Sequence, residues 1–327
     1  MNENDAALAA YEQGVAWVDR TDWGLISVAG SSRHTFLHNQ TTADFASANV
    51  GELRSAVAVT AKARIVDWLR ALVREEAIWL ISSPQRRAVL LNWWPQFIFF
   101  MDDVQLSDLS ADYALIDLVG PQSGSLLATL SDRDFALPSR GTHRDTTLAA
   151  VDGVVVAATS ELLGEGYTLL VPRPHTEAVR EALRQSGALP MPAATWEALR
   201  VTQGRPLADH ELTEAYNPLE AGLWDAVSFR KGCYIGQEII ARLDTYQKLK
   251  QQLWGLAPSA PLQVGDAIHV DDKAVGVVTS SAETPHGPRA LGYVRSSAAT
   301  EGATVAVGGV AATLVALPLL RRGRTDL

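Results

Sequence analysis

The stretch Trp68-Leu69-Arg70-Ala71-Leu72-Val73-Arg74-Glu75-Glu76-Ala77-Ile78-Trp79-Leu80-Ile81 decides the fold class. Two runs of aliphatic and aromatic residues flank the charged triplet Arg74-Glu75-Glu76. A connection this short joins antiparallel strands, because a parallel pair needs a crossover of roughly a dozen residues or more. Ala56-Val57-Ala58-Val59 adds another strand to the group. Upstream, Trp23 to Gly30 reads as a strand closed by glycine, and Ser31-Ser32-Arg33 leads into a short helix carrying Phe36 and Leu37. Downstream, Ser83-Pro84 starts a helix through Val89, Leu90 and Trp93, to which Trp94 also belongs, and both tryptophans are assigned to packing. Val104 to Leu106 and Tyr113 to Val119 resume strands, and Gly120-Pro121 opens a helix with Leu126, Leu127 and Leu130 on one side. Strands follow over Val151 to Val171, and helices over Pro174 to Gln185 and Ala193 to Gln203. Strands and helices alternate without the regular rhythm of a doubly wound sheet, so the class is α+β.

After Lys250 the texture changes. Leu253 to Leu256, Ala267 to Val270, Val275 to Thr279, Ala290 to Val294, Thr304 to Val307 and Ala311 to Val315 are short β-type runs separated by Gly, Pro or Asp turns. Such spacing predicts a small β-barrel or sandwich appended to a larger domain. The expected division is therefore 1–250 and 251–327. Pro258-Ser259-Ala260-Pro261 reads as a linker or as a loop between the first barrel strands.

With 47% hydrophobic and 20% charged residues in 327, the chain has enough apolar material for a sizeable core, and disorder is excluded as its main state. The net charge of −9 excludes a whole-surface basic footprint for nucleic acid. Met1-Asn2-Glu3-Asn4-Asp5 lacks the basic start and apolar core of a signal peptide. The apolar stretches Trp93 to Met101 and Val310 to Leu320 are about half the ~18–20 residues that span a bilayer. A soluble, cytoplasmic protein is expected.

The single cysteine, Cys233, rules out an intramolecular disulfide, a cysteine-based zinc site and a cluster held by several thiolates of this chain. It lies in Ser228-Phe229-Arg230-Lys231-Gly232-Cys233-Tyr234-Ile235-Gly236-Gln237-Glu238, which runs into a helical pattern at Ile239, Ile240 and Leu243. Gly232 and Gly236 allow tight turns, and Gln237 and Glu238 fall in the first helical turn. A cysteine just before a helix start and beside two cations favours the thiolate. A free cysteine equally serves as a small buried hydrophobe, and the residues alone leave both roles open. His34 and His38 stand four apart on a helix, but no carboxylate pattern completes a metal site, and surface or capping roles are expected.

Lys231 to Glu238 resembles the signature K-G-C-Y-x-G-Q-E of the YgfZ family, folate-binding proteins of iron–sulfur cluster assembly and repair. Asn217-Pro218-Leu219-Glu220-Ala221-Gly222-Leu223 resembles the N-P-x-E-A-G-L run shared with the related glycine-cleavage (GcvT-like) aminomethyltransferases. Trp23 to Gly30 with Phe36-Leu37-His38-Asn39-Gln40-Thr41-Thr42 is similar to the family's N-terminal segment. Val275 to Ser280 and Ala290 to Val294 are similar to its C-terminal part, so the likeness covers nearly the whole chain.

The resemblance implies a GcvT-like folate-binding domain of mixed and antiparallel sheets with helices, two subdomains around a central cavity, and a small C-terminal β-barrel. It implies tetrahydrofolate or another folate as cofactor, with Trp23 and Trp196 supplying the large rigid faces a flat ring needs. Arg230, Lys231, Tyr234, Gln237 and Glu238 join the implied binding set. Cys233 becomes the functional thiol, and Asp67 the polar residue of any catalysis. The implied partners are iron–sulfur proteins or assembly factors, with indirect support of tRNA-modifying enzymes and no direct contact with nucleic acid or membrane.

Two departures stand out. The transferases' G-x-I-x-D-D element is here Ala63-Arg64-Ile65-Val66-Asp67-Trp68, and their L-R-x-E-A-G is Leu199-Arg200-Val201-Thr202-Gln203-Gly204. A glutamate in place of Thr202 would accept from a pterin in bidentate fashion, which threonine cannot reproduce. An accessory protein is therefore expected ahead of a tetrahydrofolate-dependent one-carbon transferase, or of a ligand-binding regulatory module with a structural cysteine.

Overall fold

The computed structural model describes residues 2–324. Met1 and residues 325–327, at the outer ends of the expected divisions 1–250 and 251–327, lie outside the described residues. In chain order the elements are α1 (Glu3–Gln13), β1 (Ala16–Asp19), β2 (Gly24–Ala29), α2 (Arg33–Gln40), β3 (Leu53–Val59), β4 (Ile65–Val73), β5 (Ala77–Ser82) and α3 (Arg86–Trp93). Then come β6 (Gln105–Asp108), β7 (Tyr113–Val119), α4 (Ser123–Leu130), β8 (His143–Leu148), β9 (Val151–Ala157), β10 (Gly166–Pro172), α5 (Thr176–Gln185), β11 (Leu189–Pro190) and α6 (Ala193–Gln203). The last part holds α7 (Gln237–Tyr246), β12 (Gln251–Pro258), β13 (Ala267–Val270), β14 (Lys273–Ala282), β15 (Arg289–Arg295), β16 (Thr304–Val307) and β17 (Val310–Val315). This is an α+β fold, with sheet orders β11-β1-β7-β10-β9-β8 and β3-β4-β5-β2-β6 and a closed barrel β12-β15-β14-β13-β16-β17.

Two compact units divide the chain. The first runs through Ala56 and resumes over Trp68–Ala193; the second takes Val57–Asp67 and the described residues from Ala194 on.

In the first unit the expected hairpin forms: β4 and β5 are antiparallel with Val73 opposite Ile78, and Arg74 N–H donates to the Ala77 carbonyl at 2.9 Å. One core cluster gathers Ile116, Leu118, Val154, Leu169, Val179 and Leu183, so α5 buries its apolar stripe against sheet residues. Trp94 is fully buried and edge-on to Phe36, and Trp93 is edge-on to Phe97, which places both in packing. The sequence reading lacks α1, β1 and β8. Of α1 only Ala7 is buried, so it has no apolar stripe to read. Edge strand β8, His143-Arg144-Asp145-Thr146-Thr147-Leu148, buries only its two ends.

In the second unit the barrel closes because β12 pairs with both β15 and β17, which leaves no open edge. Trp254, Leu256, Ile268, Val278, Val305 and Leu314 fill its core. Pro258 ends β12, so Pro258–Pro261 is a loop within the barrel rather than a linker. Arg200 of α6 is fully buried and donates to Glu211 at 3.3 Å and to Ser280 of β14 at 2.7 Å. Tyr293 donates its hydroxyl to the Glu211 carbonyl at 2.9 Å, and Tyr216 stacks on its ring at 3.4 Å. This polar group ties α6 to the barrel inside one unit, where each charge is matched by a hydrogen-bonded partner. Among the described residues no helix is long and apolar enough to cross a membrane.

Candidate functional site at the cysteine turn

The approach to the turn is set by Asn217, whose Oδ1 accepts from the N–H groups of Leu219 and Glu220 at 3.0 Å each. The Glu220 carboxylate accepts in return from Asn217 N–H at 3.2 Å. This reciprocal closure is the behaviour expected of Asn at a turn start. Burial pushes the Glu220 carboxyl up, against the opposing pull of the Asn217 N–H and of Arg64, whose Nη1 lies 3.9 Å away. Glu220 stands in the N-P-L-E-A-G-L run, yet sequence reasoning gave it no role, because nothing local shows that the carboxylate is buried.

Leu219, Trp224, Val227, Tyr234 and Ile240 then pack with Ala63 as one apolar cluster. Tyr234 is 8% exposed and Lys231 9%, and the Lys231 ammonium sits 4.5 Å from the centre of the Tyr234 ring. Burial drives the Tyr234 phenol well above its ordinary range. Gly236 closes the turn at φ +79°, and Gln237 N–H donates to the Tyr234 carbonyl at 3.2 Å as α7 begins. A Cβ on Gly236 would fall 2.8 Å from the Thr60 carbonyl oxygen, so the position requires glycine. Between the two members of this buried pair, Cys233 is exposed. The turn thus has anchored ends and an open thiol, and a buried structural role for Cys233 does not apply.

The other expected site residues lie as follows. Arg230 is exposed, Gln237 is half-buried, and Glu238 is exposed with Arg242 at 3.8 Å. Trp196 on α6 is 7% exposed, with the Arg200 guanidinium 6.0 Å from its ring centre. In the first unit, Trp23 is 2% exposed, and the guanidinium carbons of Arg20 and Arg70 each lie 5.4 Å from its ring centre. Those cations are themselves held, Arg20 by Asp117 and Arg70 by Glu161, at 3.0 Å each. Asp67 on β4 is fully buried. Trp68 donates its indole N–H to Ser55 at 2.7 Å, and Thr202, exposed on α6, donates to the Ala198 carbonyl at 2.7 Å. His34 bonds the Phe45 carbonyl through Nδ1, and His38 accepts from Ala46 N–H, so both histidines pin the loop after α2. Among the described residues no group of three or more potential ligands could hold a metal ion.

The family model of the GCVT N-terminal domain matches residues 4–231. The chain belongs to that family. Within it, the chain is 40% identical over 309 residues to a chloroplastic protein of Arabidopsis thaliana provisionally named a transferase, At1g60990, covering 94% of this chain and 71% of that one. An aminomethyltransferase of Streptomyces avermitilis is 28% identical over 338 residues, covering 98% of this chain and 90% of its own. Among solved structures, the glycine cleavage system aminomethyltransferase T of Bartonella henselae superposes with a TM-score of 0.83 at 20% identity, covering 97% of this chain and 90% of that one. The GCVT-family fold therefore extends over nearly the whole chain, including the β-barrel.

Proposed function

We propose that this GCVT-family chain is a folate-binding protein of the YgfZ type, which supports iron–sulfur cluster assembly or repair through Cys233 and thereby tRNA-modifying and other cluster enzymes. The observation that carries the reading is the exposed thiol on a turn whose flanks are fixed by Lys231 with Tyr234 and by Gly236. One thiolate cannot hold a cluster, so an assembly factor, a client protein or a small thiol completes any ligation.

The residues at hand bear on folate in two ways. Two acids of the transferases are missing: Thr202 stands in place of the pterin acceptor and Trp68 in place of the second acid near the reacting carbon, and each already donates within the protein. A folate held as a ligand would find ring contact at Trp196 and a cation for its carboxylate tail in Lys231. Trp23, in the first unit, is enclosed by two guanidinium groups and core side chains.

The test is complementation. In a strain lacking the protein, Cys233→Ala is expected to leave cluster-enzyme activity at the level of the deletion, while wild type restores it. Full restoration by Cys233→Ala overturns the thiol role. Quenching of tryptophan fluorescence by tetrahydrofolate, reduced in Trp196→Ala, tests the ligand separately.

The second reading, a tetrahydrofolate-dependent aminomethyl or other one-carbon transferase with Asp67 in the polar role, draws on the 28% identity to a named aminomethyltransferase. Formation of methylene-tetrahydrofolate from an aminomethyl donor would favour it.

A further inference from the structure

On the Ser228-Phe229-Arg230 side of the cysteine turn, the second unit carries a pocket of about 290 Å³. Trp224 and Phe229 form part of its wall, with ring centres 5.9 Å apart and planes 31° from parallel. Trp224 is 4% exposed, and its indole Nε1 has no hydrogen-bond partner among the described residues. An orphaned buried donor is destabilising, and because indole N–H can only donate, an acceptor is what completes it.

The charged groups of the wall agree. Arg324 lies with its guanidinium 4.8 Å from the Phe229 ring centre, with Asp244 at 3.3 Å from its Nη1. Arg230 is exposed at the same pocket. The one acid among the described lining residues, Asp225, is already met by Arg321 at 3.2 Å. Donors and cations therefore dominate, a set that repels metal ions and amines and suits a planar or tetrahedral group with several acceptor oxygens.

We propose that this pocket binds an oxyanion, the phosphate or carboxylate group of a small ligand, with Arg230 and Arg324 as charge partners and Trp224 Nε1–H and the Ser228 hydroxyl as further donors. The aromatic pair gives such a ligand an apolar surface beside its charge. Cys233 follows Arg230 by three residues, which bounds their Cα separation at about 11 Å. The site stands whether or not the chain binds folate or serves iron–sulfur proteins.

The test is an NMR titration of the full-length protein carrying ¹⁵N-labelled indoles, with the Trp224 resonance identified by its loss in Trp224→Phe. Inorganic phosphate and benzoate are added in separate series, with ionic strength matched by sodium chloride. The Trp224 resonance is expected to move saturably with at least one of them and not with chloride. Arg324→Gln and Arg230→Gln are each expected to weaken that binding about tenfold. Saturation by phosphate alone assigns a phosphorylated ligand, and saturation by benzoate alone a carboxylate. Should Trp224→Phe not fold, the resonance is assigned from its through-space contacts to the Phe229 ring. A Trp224 resonance that ignores both anions or follows chloride equally, or an affinity unchanged in both arginine variants, overturns the site.

Discussion

Gly236 rests against Ala63: a Cβ on the glycine would stand 3.1 Å from Ala63 Cα, and both residues adopt positive φ, +79° and +55°. The turn that presents Cys233 is therefore seated on main chain, which cannot rotate aside.

Gly236→Ala should destabilise the protein by about 2–4 kcal/mol, combining the left-handed penalty of an L-residue with overpacking. Gly265→Ala is the control, because that glycine also has positive φ but has open space around it. Its expected loss is only about 1 kcal/mol. Urea midpoints of the two variants give the comparison, and equal losses would remove the packing argument.

Glu211→Ala should cost about 3–5 kcal/mol, since it leaves the guanidinium of Arg200 buried with a principal acceptor gone. Both residues are fully buried, and Ser280 donates to the Glu211 carboxylate at 2.7 Å as well. Replacing Arg200 and Glu211 together by apolar residues should recover part of the loss. Chemical denaturation of the single and double variants measures it.

The thiol of Cys233 should react with Ellman's reagent in the folded protein within about tenfold of its rate in denaturant, because exposure rather than unfolding limits access. A folded-state rate thousands of times slower would show a closed thiol and count against the proposed role.

His143 supplies a pH dependence with a defined sign. It is 7% exposed on β8, with Nε2 3.0 Å from the Val73 carbonyl, and burial holds it below its ordinary value of 6.5. Below pH 6.5 the unfolded chain therefore binds the proton more readily than the native one. Stability falls as pH drops from 6.5 toward the lowered value, by at most about 1.4 kcal/mol per unit. His143→Gln should flatten that slope, which denaturation at pH 5.5 and 7.5, about one unit either side, would reveal.

Much of the fold was legible because its signals are local. Arg74-Glu75-Glu76 between two apolar runs specifies a hairpin, and the short runs after Lys250 specify the barrel strands, since each depends on neighbours in sequence. Gly236 could be read as a turn glycine, and Cys233 as a residue just ahead of a helix. What brings Ala63 beneath Gly236, or Ser280 to Arg200, is contact across long stretches of chain, and a single sequence carries no trace of it. Charge was the least legible property. Trp23 looked like an open aromatic face, yet Arg20 and Arg70 enclose it, and nothing in the run Asp22-Trp23-Gly24 signals that.

The segment Val57–Asp67 belongs with the residues from Ala194 onward, while the chain between builds the other unit. No single cut in the gene separates the two. A fragment beginning at Ala194 would lack Thr60 and Ala63, and so would keep the cysteine turn while losing its seat. The thiol-bearing half cannot be copied, shuffled or fused elsewhere as a self-contained cassette; in heredity as in the laboratory, it travels with the other half or without its floor.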